Sequence, residues 1–190
     1  MNQPAQTIVR EEPARFTVSE FDSMAAGLVA LDLADRIELV DGVITRMPPP
    51  LRPHAYWTAR VSFLLQTALL NSQLQVLADV GLELDRDTLR QPDILVLNTQ
   101  DLSRSYVAPG DVLLAVEVAD STLPLDMGPR KLRFARAGVP HYWVVDVEGG
   151  RVHLFAEPRD GDYARHDEQP LEAELPVPGT DHRISLAPSA

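Results

Sequence analysis

Val112-Leu113-Leu114-Ala115-Val116-Glu117-Val118 is apolar at every position but one. Seven residues are strand length, and an unbroken apolar run is expected of a central strand covered on both faces. Such a strand needs layers above and below it, so the chain is expected to be α/β, an α+β mixed sheet flanked by helices. The exception is Glu117. An unpaired buried carboxylate is costly, so Glu117 needs a cation, an arginine or an exit to solvent. A strand-end glutamate paired with one arginine would meet that need as well as a metal site would.

On the N-terminal side, Pro92 to Leu97 reads as a short apolar strand opened by Asp93, and Leu74 to Leu84 as a strand kinked near Gly81. Asp85 to Arg90, between them, reads as a polar turn. His54 to Leu70 carries Trp57, Val61, Leu64, Leu65 and Ala68 at helical spacing. Before it, Pro48-Pro49-Pro50 ends a predicted hairpin, Ile37 to Met47, whose turn is Asp41-Gly42. A first helix is expected from Thr17, with Thr17 or Ser19 as cap and Phe21, Met24, Leu28 and Leu31 as its apolar face. Residues 1–16 read as a flexible arm.

On the C-terminal side, Pro129 to Ala137 is expected to form a short helix ended by Gly138. A hairpin is expected from His141 to Phe155, turning at Glu148-Gly149-Gly150. Beyond Pro158 the sequence becomes proline- and acid-rich, with short strand candidates such as Leu171 to Leu175. No internal repeat is visible, and residues 17–190 are read as one domain whose part after 158 is less regular.

Composition narrows the chemistry. The 190 residues contain no cysteine, which excludes disulfides, thiolate metal sites and cysteine nucleophiles. Residues 1–15 lack the basic start and apolar run of an export signal, and the longest apolar stretches are strand-sized, so a cytoplasmic protein without membrane spans is expected. The formal net charge of −11 runs against phosphate binding by basic surfaces, although carboxylates that hold metal offset part of it. Ser19 and Ser121 lack the glycine-flanked elbow of an acyl-transfer nucleophile, and no phosphate-cradling glycine loop is present.

Asp93 and Glu117 open and interrupt neighbouring predicted strands. Two acids so placed can bring oxygens onto one hard cation, although Asp93 could equally be a turn residue. Several segments carry a resemblance: Glu38-Leu39-Val40-Asp41-Gly42, His54, Gln91-Pro92-Asp93, Val116-Glu117-Val118-Ala119-Asp120-Ser121-Thr122, and Ala137-Gly138-Val139-Pro140-His141-Tyr142-Trp143-Val144-Val145-Asp146. In order and spacing, from about Thr17 to Phe155, they resemble the Uma family of restriction endonucleases in the PD-(D/E)XK nuclease superfamily.

The resemblance implies a restriction-endonuclease-like core that hydrolyses DNA phosphodiester bonds. It implies a Mg²⁺ or Mn²⁺ site made by Asp93 and Glu117 with the backbone carbonyl of Val118. Glu38 would complete the acidic cluster, and His54 would touch phosphate or water. It also implies a lysine beside the metal. The superfamily often places it two residues after the glutamate, where this chain has Ala119. The Uma family supplies it from the following helix, in a column that falls on Arg130, with Lys131 next. Lys131 is the residue expected to reach the site. DNA is the expected partner, and a homodimer is expected because cutting a duplex takes two sites. The displaced lysine and the −11 charge support an alternative, a weak or inactive nuclease-fold protein that binds nucleic acid or a protein partner. A metal-dependent hydrolase of small phosphorylated molecules would use the same acids.

Overall fold

In the computed structural model, which describes residues 13–29 and 37–187, the predicted first hairpin forms as read. Asp41 and Gly42 both take left-handed backbone, φ 52° and 77°, and close a two-residue turn between β1 (Ile37–Val40) and β2 (Val43–Arg46). Helix α1 (Val18–Val29) opens on a capping box: Thr17 N–H donates to Glu20 Oε2 at 2.8 Å, and Glu20 N–H donates back to Thr17 Oγ1 at 3.3 Å. Its Val18 and Phe21 pack on Leu39 and Leu89. Leu31 and the Leu28 side chain lie outside the described residues, as do residues 1–12 of the expected arm.

Two further elements differ from the sequence reading. The kinked strand is two strands, β3 (Gln75–Ala78) and β4 (Leu82–Asp85), which belong to different sheets. Asp79, at φ 53°, interrupts the run between them. Residues read as a polar turn include a buried strand, β5 (Thr88–Arg90). β5 pairs with β1 on one side and β4 on the other, completing an antiparallel sheet in the order β2-β1-β5-β4. Arg90 looked like turn material because it is charged; it is buried because Glu38 stands across the pair from it.

The larger sheet adds β6 (Ile94–Leu97), β7 (Val112–Ala119), β8 (His141–Asp146), β9 (Arg151–Arg159) and β10 (Asp162–Pro170), in the order β10-β9-β8-β7-β6-β3. The β7–β8 pair is parallel; the others are antiparallel. As expected, β7 is central and covered on both faces. Leu114, Val116 and Val118 meet Val61, Leu65 and Leu69 of α2 (Arg52–Leu69) on one face. Ala115 and Ala119 meet Phe134, Val144 and Tyr142 on the other. Strand β10 went unread because only Tyr163 along it is buried, so it shows no apolar alternation. Two short strands, β11 (Leu175–Pro176) and β12 (Arg183–Ile184), put Leu175, Val177, Ile184 and Leu186 into the α2-side core.

The parallel connection from β7 to β8 runs through a bent helical segment. It comprises α3 (Leu123–Leu125), a distorted turn over Asp126–Arg130, and α4 (Lys131–Arg136). The helix read from Pro129 is regular only from Lys131, because Gly128 leaves helical geometry and Pro129 follows it. Gly138, at φ 81°, ends it. Among the described residues no helix is long and apolar enough to cross a membrane.

Candidate active site

Strand register explains why the two acids meet. Ile94 pairs with Val116 and Leu95 with Ala115. The same antiparallel register continued one residue puts Asp93 opposite Glu117, and cross-strand neighbours have Cβ atoms about 4.5–5.5 Å apart. Continued once more, it puts Pro92 opposite Val118. Proline has no N–H, so the backbone ladder stops there. In its place Val118 N–H donates to Asp93 Oδ2 at 2.8 Å.

Glu38, Asp93 and Glu117 are 5%, 5% and 4% exposed, and all three line one cavity of about 240 Å³. His54, at the start of α2, lines it too, with Nε2 3.1 Å from Asp93 Oδ2 and Nδ1 3.5 Å from Thr58 Oγ1. Glu38 is held from the smaller sheet. Its Oε1 accepts from Gln91 N–H at 2.9 Å, and Arg90 Nη1 stands 2.9 Å from Oε2. That contact is an ion pair off the N–H direction, so Oε2 is buried without a hydrogen-bond donor among the described residues.

Arg130 is the cavity's strong cation. Its Nη1 donates to Asp126 Oδ1 at 2.6 Å and stands 3.9 Å from Glu117 Oε2. Asp126 is fully buried; Thr122 Oγ1 donates to its other oxygen at 2.5 Å, and Tyr142 O–H donates to its carbonyl at 3.1 Å. Burial, then the nearby Asp93 carboxylate, push the Glu117 carboxyl well above its ordinary range, against the pull of Arg130. Burial raises Asp126 as well, again opposed by Arg130. Burial disfavours the charge on Arg130, but Glu117 and Asp126 more than offset it, and its guanidinium holds its proton more tightly than a free arginine.

The cavity thus gathers Asp93, Glu117, Glu38 and His54, four of the five side chains expected there. It does not gather Lys131. That side chain pairs with Asp162 on β10, Nζ to Oδ1 2.7 Å, and lies 5.2 Å from the Phe155 ring centre. One helical residue rotates a side chain by about 100°, so Arg130 and its successor cannot share a target. The place of Asp126 behind Arg130 depends on the bend at Gly128, which leaves no mark in local periodicity. The i, i+4 spacing of Asp126 and Arg130 was the available clue.

Among the described residues no three His, Asp or Glu side chains stand close enough to hold a metal ion by themselves. A pair of carboxylates does suit a hard cation that keeps waters or takes substrate oxygens in its other positions. Val118 borders this pair. Its N–H points toward Asp93, a strand residue's C=O lies on the same edge as its N–H, and Pro92 offers that oxygen no donor.

Comparison with known proteins agrees with this architecture. A family model, "Uma2: Putative restriction endonuclease", matches residues 18–188. No curated protein sequence matches the chain. Among solved structures, the crystal structure of a "putative nuclease belonging to DUF820" from Anabaena variabilis superimposes with a TM-score of 0.64 at 16% identity. It covers 90% of this chain and 95% of that one. The fold is therefore mixed α/β, as the apolar strand implied, and restriction-endonuclease-like, as the family resemblance implied.

Proposed function

Since the chain belongs to the Uma2 family, we propose that it is a Mg²⁺- or Mn²⁺-dependent endonuclease that hydrolyses DNA phosphodiester bonds at the Asp93–Glu117 cavity. The observation that carries this reading is the buried, adjacent pair of carboxylates facing a fixed guanidinium in one cavity. Two buried ionised acids side by side are unfavourable unless a proton or a cation is shared between them.

Asp93 and Glu117 would hold the ion with the Val118 carbonyl, and the buried Glu38 Oε2 supports the acidic cluster. A bound ion of this kind lowers the pKa of a coordinated water and neutralises charge on a phosphate. His54 keeps Asp93 oriented, and Val118 N–H fixes the same oxygen. Arg130, held by Asp126, would bind a phosphate oxygen and balance developing charge, taking the place of the family's lysine. An arginine does not exchange a proton near neutral pH, so proton transfer from water falls to another group. That substitution favours slow turnover, and a non-cleaving nucleic-acid binder is the second reading.

The test is cleavage of plasmid and of circular single-stranded DNA in Mg²⁺ and in Mn²⁺ by the wild type, Asp93→Ala and Glu117→Ala. The expected result is nicking or cutting by the wild type and a loss of at least about a hundredfold in each folded variant. Activity surviving both substitutions sinks the site assignment, and a wild type inert in both metals on duplex and on single-stranded DNA selects the binder.

A further inference from the structure

The cavity mouth is bordered by Arg46-Met47-Pro48-Pro49-Pro50-Leu51-Arg52, the connection from β2 to α2. Met47 to Leu51 all line the cavity. Three consecutive prolines fix φ near −65°, and each restricts its predecessor to extended backbone, so the connection is a stiff strap of polyproline type. The prolines, Leu51, Arg46 and Arg52 are all exposed. Among the described residues neither Arg46 nor Arg52 has an ion-pair partner, in a chain of net charge −11.

A second groove, of about 380 Å³, meets this cavity and shares Pro50, His54 and Asp93 with it. It runs along α2, where Phe63 is 66% exposed, past Ser62 and Gln66. Asp93 therefore lies between an arginine-bracketed apolar strap and a groove with an open aromatic ring. Among the described residues lining the two spaces, Arg130 is the one lysine or arginine, and acids already engage it.

These walls do not suit a duplex. Duplex binding draws on rows of lysine and arginine that displace counterions from paired phosphate backbones, and the bases stay stacked inside. An unpaired strand presents base faces, which stack on aromatic and apolar side chains while basic groups follow its backbone. We propose that the strap and the Phe63 groove form the track of a single DNA strand across Asp93, with Arg46 and Arg52 on phosphates and Phe63 under a base. The inference rests on the reading of the cavity as a phosphodiester site and adds the form of DNA it takes. One site then suffices for one cut.

The experiment uses a fluorescein-labelled 20-nucleotide DNA strand of mixed, non-pairing sequence and the same strand annealed to its complement. Anisotropy titrations in Mg²⁺ use the full chain carrying Glu117→Gln, so that the probe survives. The expected result is at least about tenfold tighter binding of the strand than of the duplex. Adding Arg46→Ala and Arg52→Ala should weaken strand binding at least about fivefold and reduce the salt dependence by about 1.4 in log–log slope, two contacts at ~0.7 each. Adding Phe63→Ala should weaken it at least about fivefold. All three positions are exposed, so unchanged thermal melting should accompany the losses. Equal or tighter duplex binding, or strand binding indifferent to all three substitutions, overturns the track. Duplex cleavage by the wild type without strand preference would leave the hydrolytic reading standing and remove this one. Strand preference with the variant losses, but no cleavage by the wild type, would do the reverse.

Discussion

The cavity and the β9–β10 hairpin carry the same kinds of charge at similar spacings, in opposite surroundings. Arg90 and Glu38 are 2.9 Å apart with side chains 8% and 6% exposed, and Arg130 and Asp126 are 2.6 Å apart. On the hairpin, Arg151 and Glu168 are 2.7 Å apart with side chains 52% and 42% exposed. Distance does not separate these pairs; solvent does. Water screens the hairpin pair and would satisfy either partner left alone, whereas a buried charge that loses its partner has nothing to replace it. Where the hairpin does bury a titratable group, it behaves as the cavity does. Burial raises the Glu117 carboxyl and lowers the His153 imidazole, in both cases favouring the neutral form.

Removing the buried partner should have the largest effect. Arg90→Ala leaves Glu38 uncompensated and should cost about 3–5 kcal/mol in urea unfolding. A loss below about 1 kcal/mol would mean that the cavity charges are as well screened as the hairpin's.

Glu117→Gln should act in the other direction. Its folded-state pKa is raised, so Glu117 contributes most to stability below the ordinary carboxylate range, and that contribution is lost as pH rises through the folded value. In metal-free buffer the variant should exceed the wild type at pH 8 by more than the roughly 0.5 kcal/mol of a neutral surface change. The gap should close toward pH 4.5. Melting curves across that range check it, and a gap that widens on acidification breaks the assignment.

The hairpin histidine should show the opposite slope and a smaller effect. His153 has a lowered folded-state pKa, chiefly from burial, so its contribution is present above its ordinary value of 6.5 and is lost as pH falls through the folded value. His153→Gln should flatten the wild type's loss of stability below pH 6.5 and leave pH 8 nearly unchanged. Smallest of all, Arg151→Ala should cost no more than about 1 kcal/mol by chemical denaturation, with salt reducing even that.

The same contrast explains what could be read from sequence. Elements decided by neighbours in the chain were legible: the Asp41-Gly42 turn, the all-apolar β7, and the α2 face of Val61 and Leu65. So were acids that stand out against apolar surroundings, Glu117 above all. What escaped depends on partners far along the chain. Arg90 is a strand residue because of Glu38, 52 positions earlier. β10 is a strand because β9 offers it an edge, and Asp162 to Pro170 has no periodicity of its own. The choice between Arg130 and Lys131 turned on which face each residue takes after the backbone bend at Gly128, and that bend has no local sequence signal.

The break in the ladder at Pro92 gives the molecule an internal gauge. Along most of β7 each amide proton reports on a neighbouring strand, but that of Val118 reports on the Asp93 carboxylate. Whatever draws charge from that oxygen, a proton or a cation, must lengthen or weaken this one bond. The shift and exchange rate of a single buried main-chain amide should follow the loading of the cavity with no reporter group attached to the site.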